Sequence, residues 1–162
     1  MSTIRQQITD ALKVRLEADE WLGPVADGEP AEEDWRAFDG AVAAEADFCA
    51  LIDEGVAEHG PALLGDGGPL YDLELTLTAA FAVRSPNNDT RKARRDQAIG
   101  RIGAAVLPDL VDQPDRSSLG GLAVWTFIGL PELDNTGLDG GVPVWVARVP
   151  VKVWFTATQP TG

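Results

Sequence analysis

The chain has 162 residues, 44% of them hydrophobic, which suits one domain with a genuine core. Its formal net charge is −13, which excludes a protein that grips nucleic acid by its phosphates, although an acidic wall past which DNA slides fits that charge. The single cysteine, Cys49, excludes an internal disulfide, and with neither a signal-peptide apolar region nor a bilayer-length apolar run the chain is read as cytoplasmic at synthesis.

The first predicted element is a helix from about Thr3 to about Ala18. Thr3 and Gln6 have the form of a capping box, and Ile4, Ile8, Ala11, Leu12 and Leu16 make one apolar stripe. An irregular acidic region over about 19–69 follows. Gly23-Pro24 and Glu29-Pro30 break its first part, from Trp21 to about Gly40. Trp21, Leu22, Trp35 and Phe38 make that stretch a packed loop, or else leave Trp35 and Phe38 waiting for a partner. From Ala43 to His59 helix and strand patterns compete, and a strand near Phe48 to Asp53 is favoured because a sheet partner follows. Gly60-Pro61 and Gly65-Asp66-Gly67-Gly68-Pro69 then punctuate a turn region.

Tyr71 to Val83 is the clearest strand, with Leu73, Leu75, Leu77 and Phe81 on one face and Asp72, Glu74, Thr76 and Thr78 on the other. Ser85 to Asp89 is a turn, and Asn88 or Asp89 caps a helix that runs to about Val106 and is ended by Pro108. Its apolar face is Ala98, Ile99, Ile102, Ala105 and Val106. Leu119-Gly120-Gly121 precedes a strand from Leu122 to Ile128, a loop spans Pro131 to Gly141, and a last strand region spans Val142 to Thr158. Pro150 cannot donate to a ladder, so it marks an edge, a bend or the meeting of two strands. The order helix, strand, strand, helix, strand, strand predicts an α+β fold in a single domain over 1–162. Its two helices pack on one face of a mostly antiparallel four- to five-stranded sheet.

Charge is unevenly divided. From Glu17 to Glu74 Arg36 is the lone basic residue, among acids that include Glu54 and Glu58. Arg91, Lys92, Arg94 and Arg95 instead crowd the first half of the second helix, where the helix dipole favours acids. The division is either pairing within the chain or a device for docking one subunit on the next.

Chemistry-bearing patterns are few. Cys49 and His59 are ten residues apart with no third group to orient the imidazole, so they make a poor nucleophile and base. One cysteine and one histidine cannot close a zinc site. Asp134-Asn135, Asp139-Gly140-Gly141 and Asp66-Gly67-Gly68 supply oxygens without calcium-loop spacing and are better read as turns. Gly65, Gly67 and Gly68 lack the Lys-Ser/Thr of a phosphate loop, and Gly120-Gly121 precedes a strand where a dinucleotide fingerprint needs a helix. No catalytic residue, cofactor or metal is expected, and the chain is not read as an enzyme.

Four segments carry a resemblance. They are Ile4 to Leu16, Leu73 to Leu77, the helix with Arg91, Arg95, Ala98, Ile99 and Ile102 leading to Leu119-Gly120-Gly121-Leu122, and Val149 to Thr156. In this order they resemble the tail terminator proteins of long-tailed bacteriophages and of phage-derived gene transfer agents. The resemblance implies a structural virion protein. Such a protein caps the finished tail tube as a homo-hexameric ring, ends tube polymerisation and offers a head–tail joining surface. It implies a place at the head-proximal end of the tail after assembly in the host cytoplasm. The implied partners are the tail tube protein and a head–neck or stopper protein. DNA would pass through the lumen without specific binding, and no membrane is involved. In this setting Arg91, Lys92, Arg94 and Arg95 are expected to meet Glu54 and Glu58 of the next subunit, and Trp35, Phe38, Asp134, Asn135 and Asp139 to make axial contacts. Another neck component, a head-completion or stopper protein, is the alternative, and a small-molecule binding module or enzyme is a third class.

Overall fold

The computed structural model describes residues 3–38, 44–65, 67–107 and 119–162. Among these residues are two α-helices and seven strands: α1 (Ile4–Glu17), β1 (Val25–Asp27), β2 (Arg36–Ala37), β3 (Ala46–Gly65), β4 (Gly68–Arg84), α2 (Asn88–Val106), β5 (Trp125–Ile128), β6 (Glu132–Asp139) and β7 (Val142–Ala157). The fold is α+β, as the segment order predicts. Its single open sheet runs β1-β3-β4-β7-β5, with β2 also on β3 and β6 also on β7. All pairings are antiparallel except β1 with β3.

Helix α1 starts where its sequence signals place it. Thr3 Oγ1 accepts from the Gln6 backbone N–H at 3.1 Å, and Gln6 turns its own side chain forward to Asp10 at 2.8 Å, so one half of the capping box forms. Helix α2 is capped by Asn87, one residue before the expected pair, through bonds from the Asp89 and Thr90 N–H groups. Ile8, Leu12 and Leu16 of α1 and Ala98, Ile102 and Val106 of α2 join one core with Leu75, Leu77 and Phe81 of β4 and Val151, Val153 and Phe155 of β7. Burial of these side chains at roughly 1.5–3 kcal/mol each is the main force holding helices to sheet. Trp21, just past α1, stacks on Phe81 with centroids 5.2 Å apart.

The expected count of four to five strands gives way to seven. The region over 19–69, read as largely irregular, supplies β1, β2 and the 20-residue β3. The loop expected from Pro131 to Gly141 is instead β6 and the Gly140-Gly141 turn into β7, both glycines having positive φ as a tight hairpin requires. The strand expected from Leu122 begins at Trp125. The turn region expected around Gly60-Pro61 and Gly65–Pro69 is the outer part of one long β3–β4 hairpin. Pro150 lies between the β7 residues that pair with β6, up to Arg148, and those that pair with β5, from Val151, so two strands do meet there. Gly40, Ala43, Asp66 and Pro108 lie outside the described residues.

Candidate assembly surface

The arginine cluster of α2 is fastened within the chain. Arg91 and Arg95 lie over the Trp145 ring, their guanidinium carbons 5.0 and 4.8 Å from its centroid. Arg91 Nη1 donates to the Ser85 carbonyl, and Arg95 Nη1 donates to Asn135 Oδ1 at 2.9 Å. Arg94 lies over Phe38 at 4.0 Å and Trp21 at 4.8 Å, and donates to Asp47. A planar guanidinium can stack on a ring and still hold an acid in its own plane. The electrostatic cost of placing these groups near a helix N-terminus is offset by the quadrupoles of Trp21, Phe38 and Trp145 and by Asp47 and Asp96. Arg91 and Arg95 are buried and Arg94 is half-buried, while Lys92 is exposed. Pairing within the chain is therefore the role of Arg91, Arg94 and Arg95, and Lys92 is what the cluster presents outward.

The expected axial contacts have structural partners too. Trp35 meets Phe48 edge-on at 4.7 Å, with Arg84 over its ring at 4.6 Å. Phe38 packs against the core beneath Arg94. Asp134 accepts from the Thr136 backbone N–H at 3.0 Å and from its hydroxyl at 2.7 Å, bonds that hold its carboxyl below the ordinary aspartate value. Asn135 is engaged by Arg95, and Asp139 by Arg84.

The structure projects instead the far part of the β3–β4 hairpin, an arm beyond the core. Arg5 clamps its root to α1, donating to both oxygens of Asp53 at 2.7 Å and thereby holding that carboxyl below its ordinary value. Past Asp53, β3 shifts register against β4 at Asp53/Gly55, Glu58/Gly60 and Gly60/Leu63. Glu54 and Glu58 are exposed on this stretch. The His59 ring stacks on Trp154 with centroids 4.0 Å apart, and Trp154 Nε1 donates to Glu74 at 2.8 Å. Beyond this stack lies a cavity of about 330 Å³ lined by Pro61, Leu63, Leu70, Val124, Trp154 and Asp72. Leu63, Leu64 and Val124 are 65%, 89% and 61% exposed.

These leucines were not expected at the surface. The sequence signal for them is the Asp66-Gly67 dipeptide between Pro61-Ala62-Leu63-Leu64 and Pro69-Leu70, a form that hairpin tips favour. Cys49 and His59 are not brought together: both lie on β3, and ten residues of strand span roughly 30 Å. Burial pushes the Cys49 thiol up to about 12. Among the described residues no group of three His, Cys, Asp or Glu side chains is placed to hold a metal ion, and no helix is long and apolar enough to cross a membrane. In comparisons with known proteins, no family model and no curated protein matches the chain.

Proposed function

We propose that this chain is a structural virion protein that caps a tail tube as a hexameric ring. In that role it ends tube polymerisation and offers the surface on which head and tail join. The observation that carries the reading is the β3–β4 arm, which holds Leu63 and Leu64 in water at the outer end of the sheet. Apolar groups presented in this way are a recognised mark of a protein-docking element. The segment order that resembles tail terminators supports the same role. The ring is a head-to-tail assembly in which unlike surfaces of adjacent copies meet. Its acidic surface repels DNA and lets it pass, and the partners on the axis are the tube protein on one side and a stopper or neck protein on the other. The arm takes the axial role expected for Trp35, Phe38, Asp134, Asn135 and Asp139, which already hold contacts within the chain. No catalysis is part of this role.

Native mass across a concentration series, with negative-stain images of the same sample and binding to purified tail tubes, tests the reading. The expected result is a species of six times the 17.2 kDa protomer, or ring formation on the tube end. A closed dimer that ignores tubes overturns it. Binding to portal-filled heads with no affinity for tubes moves the chain to a head-completion or stopper role.

A further inference from the structure

We propose that the leucine face of the β3–β4 arm docks a basic, apolar segment of a different protein, and not a second copy of this chain. The floor of the site is the Trp154 ring, held by Glu74 and covered on one side by His59. Leu63, Leu70, Pro61 and Val124 wall the cavity above it. An aromatic floor in an apolar pocket is where a partner's anchor side chain gains most.

Charge identifies the occupant. Asp72 lines the cavity, and Glu74 beside it holds the Trp154 ring. Lys152, on the adjoining strand β7, already holds Glu74 at 3.4 Å. A partner therefore gains by flanking its apolar anchor with lysine or arginine. A second copy brings little free positive charge. Nine of its basic side chains already hold an acid of their own chain, and the whole carries −13. Nor does the arm's outer edge invite strand addition. It has three register shifts, a proline at 61 and the acids Asp53, Glu54 and Glu58, the devices by which edges resist pairing. The side-chain face is what remains for docking.

The inference rests on the arm as a docking element and not on the ring. A chain that stays monomeric yet binds as described keeps this proposal and removes the ring. The test uses the full chain and two blocked heptapeptides, one alternating leucine with lysine and one alternating leucine with glutamate, titrated by calorimetry. The lysine peptide is expected to bind and the glutamate peptide not. Leu63→Ser with Leu70→Ser should weaken binding about tenfold or more, and Asp72→Asn about threefold. Val14→Ser, at an exposed apolar site on α1, should leave it unchanged. Thermal midpoints confirm that each variant is folded. The proposal is overturned if the lysine peptide fails to bind, or if both leucine substitutions leave its affinity unchanged, as diffuse attraction would. Self-association that the leucine substitutions abolish overturns it as well.

Discussion

Arg94 donates from both Nε and Nη2 to a single oxygen of Asp47, a side chain only 3% exposed, while Arg36 donates to the other oxygen at 2.9 Å. One buried carboxylate thus joins α2, β2 and β3. Deleting it leaves two guanidinium groups without their counter-charge, the situation in which half of a buried pair costs most. Asp47→Ala is expected to lower the free energy of unfolding by about 3–5 kcal/mol. Asp47→Asn keeps one acceptor oxygen and should cost less. Urea denaturation measures both, and an Asp47→Ala variant within about 1 kcal/mol of the parent would show that the two arginines are satisfied elsewhere.

The Arg5–Asp53 pair at the root of the arm gives an acid-labile contribution. The bond from Arg5 holds the Asp53 carboxyl below its ordinary value in the folded chain. The stabilisation is complete above the unfolded value of about 3.9 and is lost as pH falls through the lower folded value. Arg5 is shifted upward by the same bond, and that part is lost only at strongly alkaline pH. Asp53→Asn should therefore cost under about 1 kcal/mol at neutral pH, since the pair is partly solvated, and nothing once the parent's carboxylate is protonated. Stability curves of parent and variant that stay parallel down to the acid limit would rule this out.

How much could be read from the sequence depended on whether an element buries one face. The Leu73 to Leu77 part of β4 and the stripe of α1 were legible because one side meets the core and the other is more exposed, whereas Thr78, Ala80 and Ala82 beyond it are buried as well. The outer half of β3 is exposed on both sides from Glu58 to Leu64 apart from Gly60, so no alternation records it. Strand β6, with its Asp, Asn and Gly, has a composition that strands avoid, and it survives as an edge held by β7. The partners of the arginines were illegible for another reason. Trp21, Phe38 and Trp145 are far from α2 in sequence, and only the folded sheet brings them beneath it. A helix read in isolation shows an unfavourable charge cluster and not the rings that accommodate it.

Two glycines make opposite predictions for one substitution. A methyl group on Gly129 would sit 2.8 Å from Pro150 Cγ, and the Gly129 N–H donates to the Pro150 carbonyl at 2.9 Å. Neither the ring nor the bonded backbone can yield freely, so Gly129→Ala should destabilise by about 1–3 kcal/mol. Gly100 lies inside α2 and is exposed, with nothing within 4 Å of an added methyl group. Gly100→Ala should stabilise by roughly 0.5–1 kcal/mol through helix propensity. Thermal midpoints should move in opposite directions by about 2–4 °C per kcal/mol. A shift of the same sign in both variants would contradict the close approach at Pro150.

Cys49 lies on β3 between Val25 of β1 and Phe81 of β4, and it is buried. Burial pushes its thiol up to about 12, so at pH 8 the native group is held as the unreactive thiol. A thiol reagent can then react only through an opened chain. Opening must lift the helix layer from the core that Cys49 shares with it, or part β1 or β4 from β3, and all but the loss of β1 disrupt the centre of the core. Labelling of the native chain is expected to be slow and to accelerate with urea in step with global unfolding. Rapid labelling without urea, at a rate insensitive to low denaturant, would instead mean that the three-residue β1 detaches alone and uncovers Cys49 while the remaining sheet stays intact.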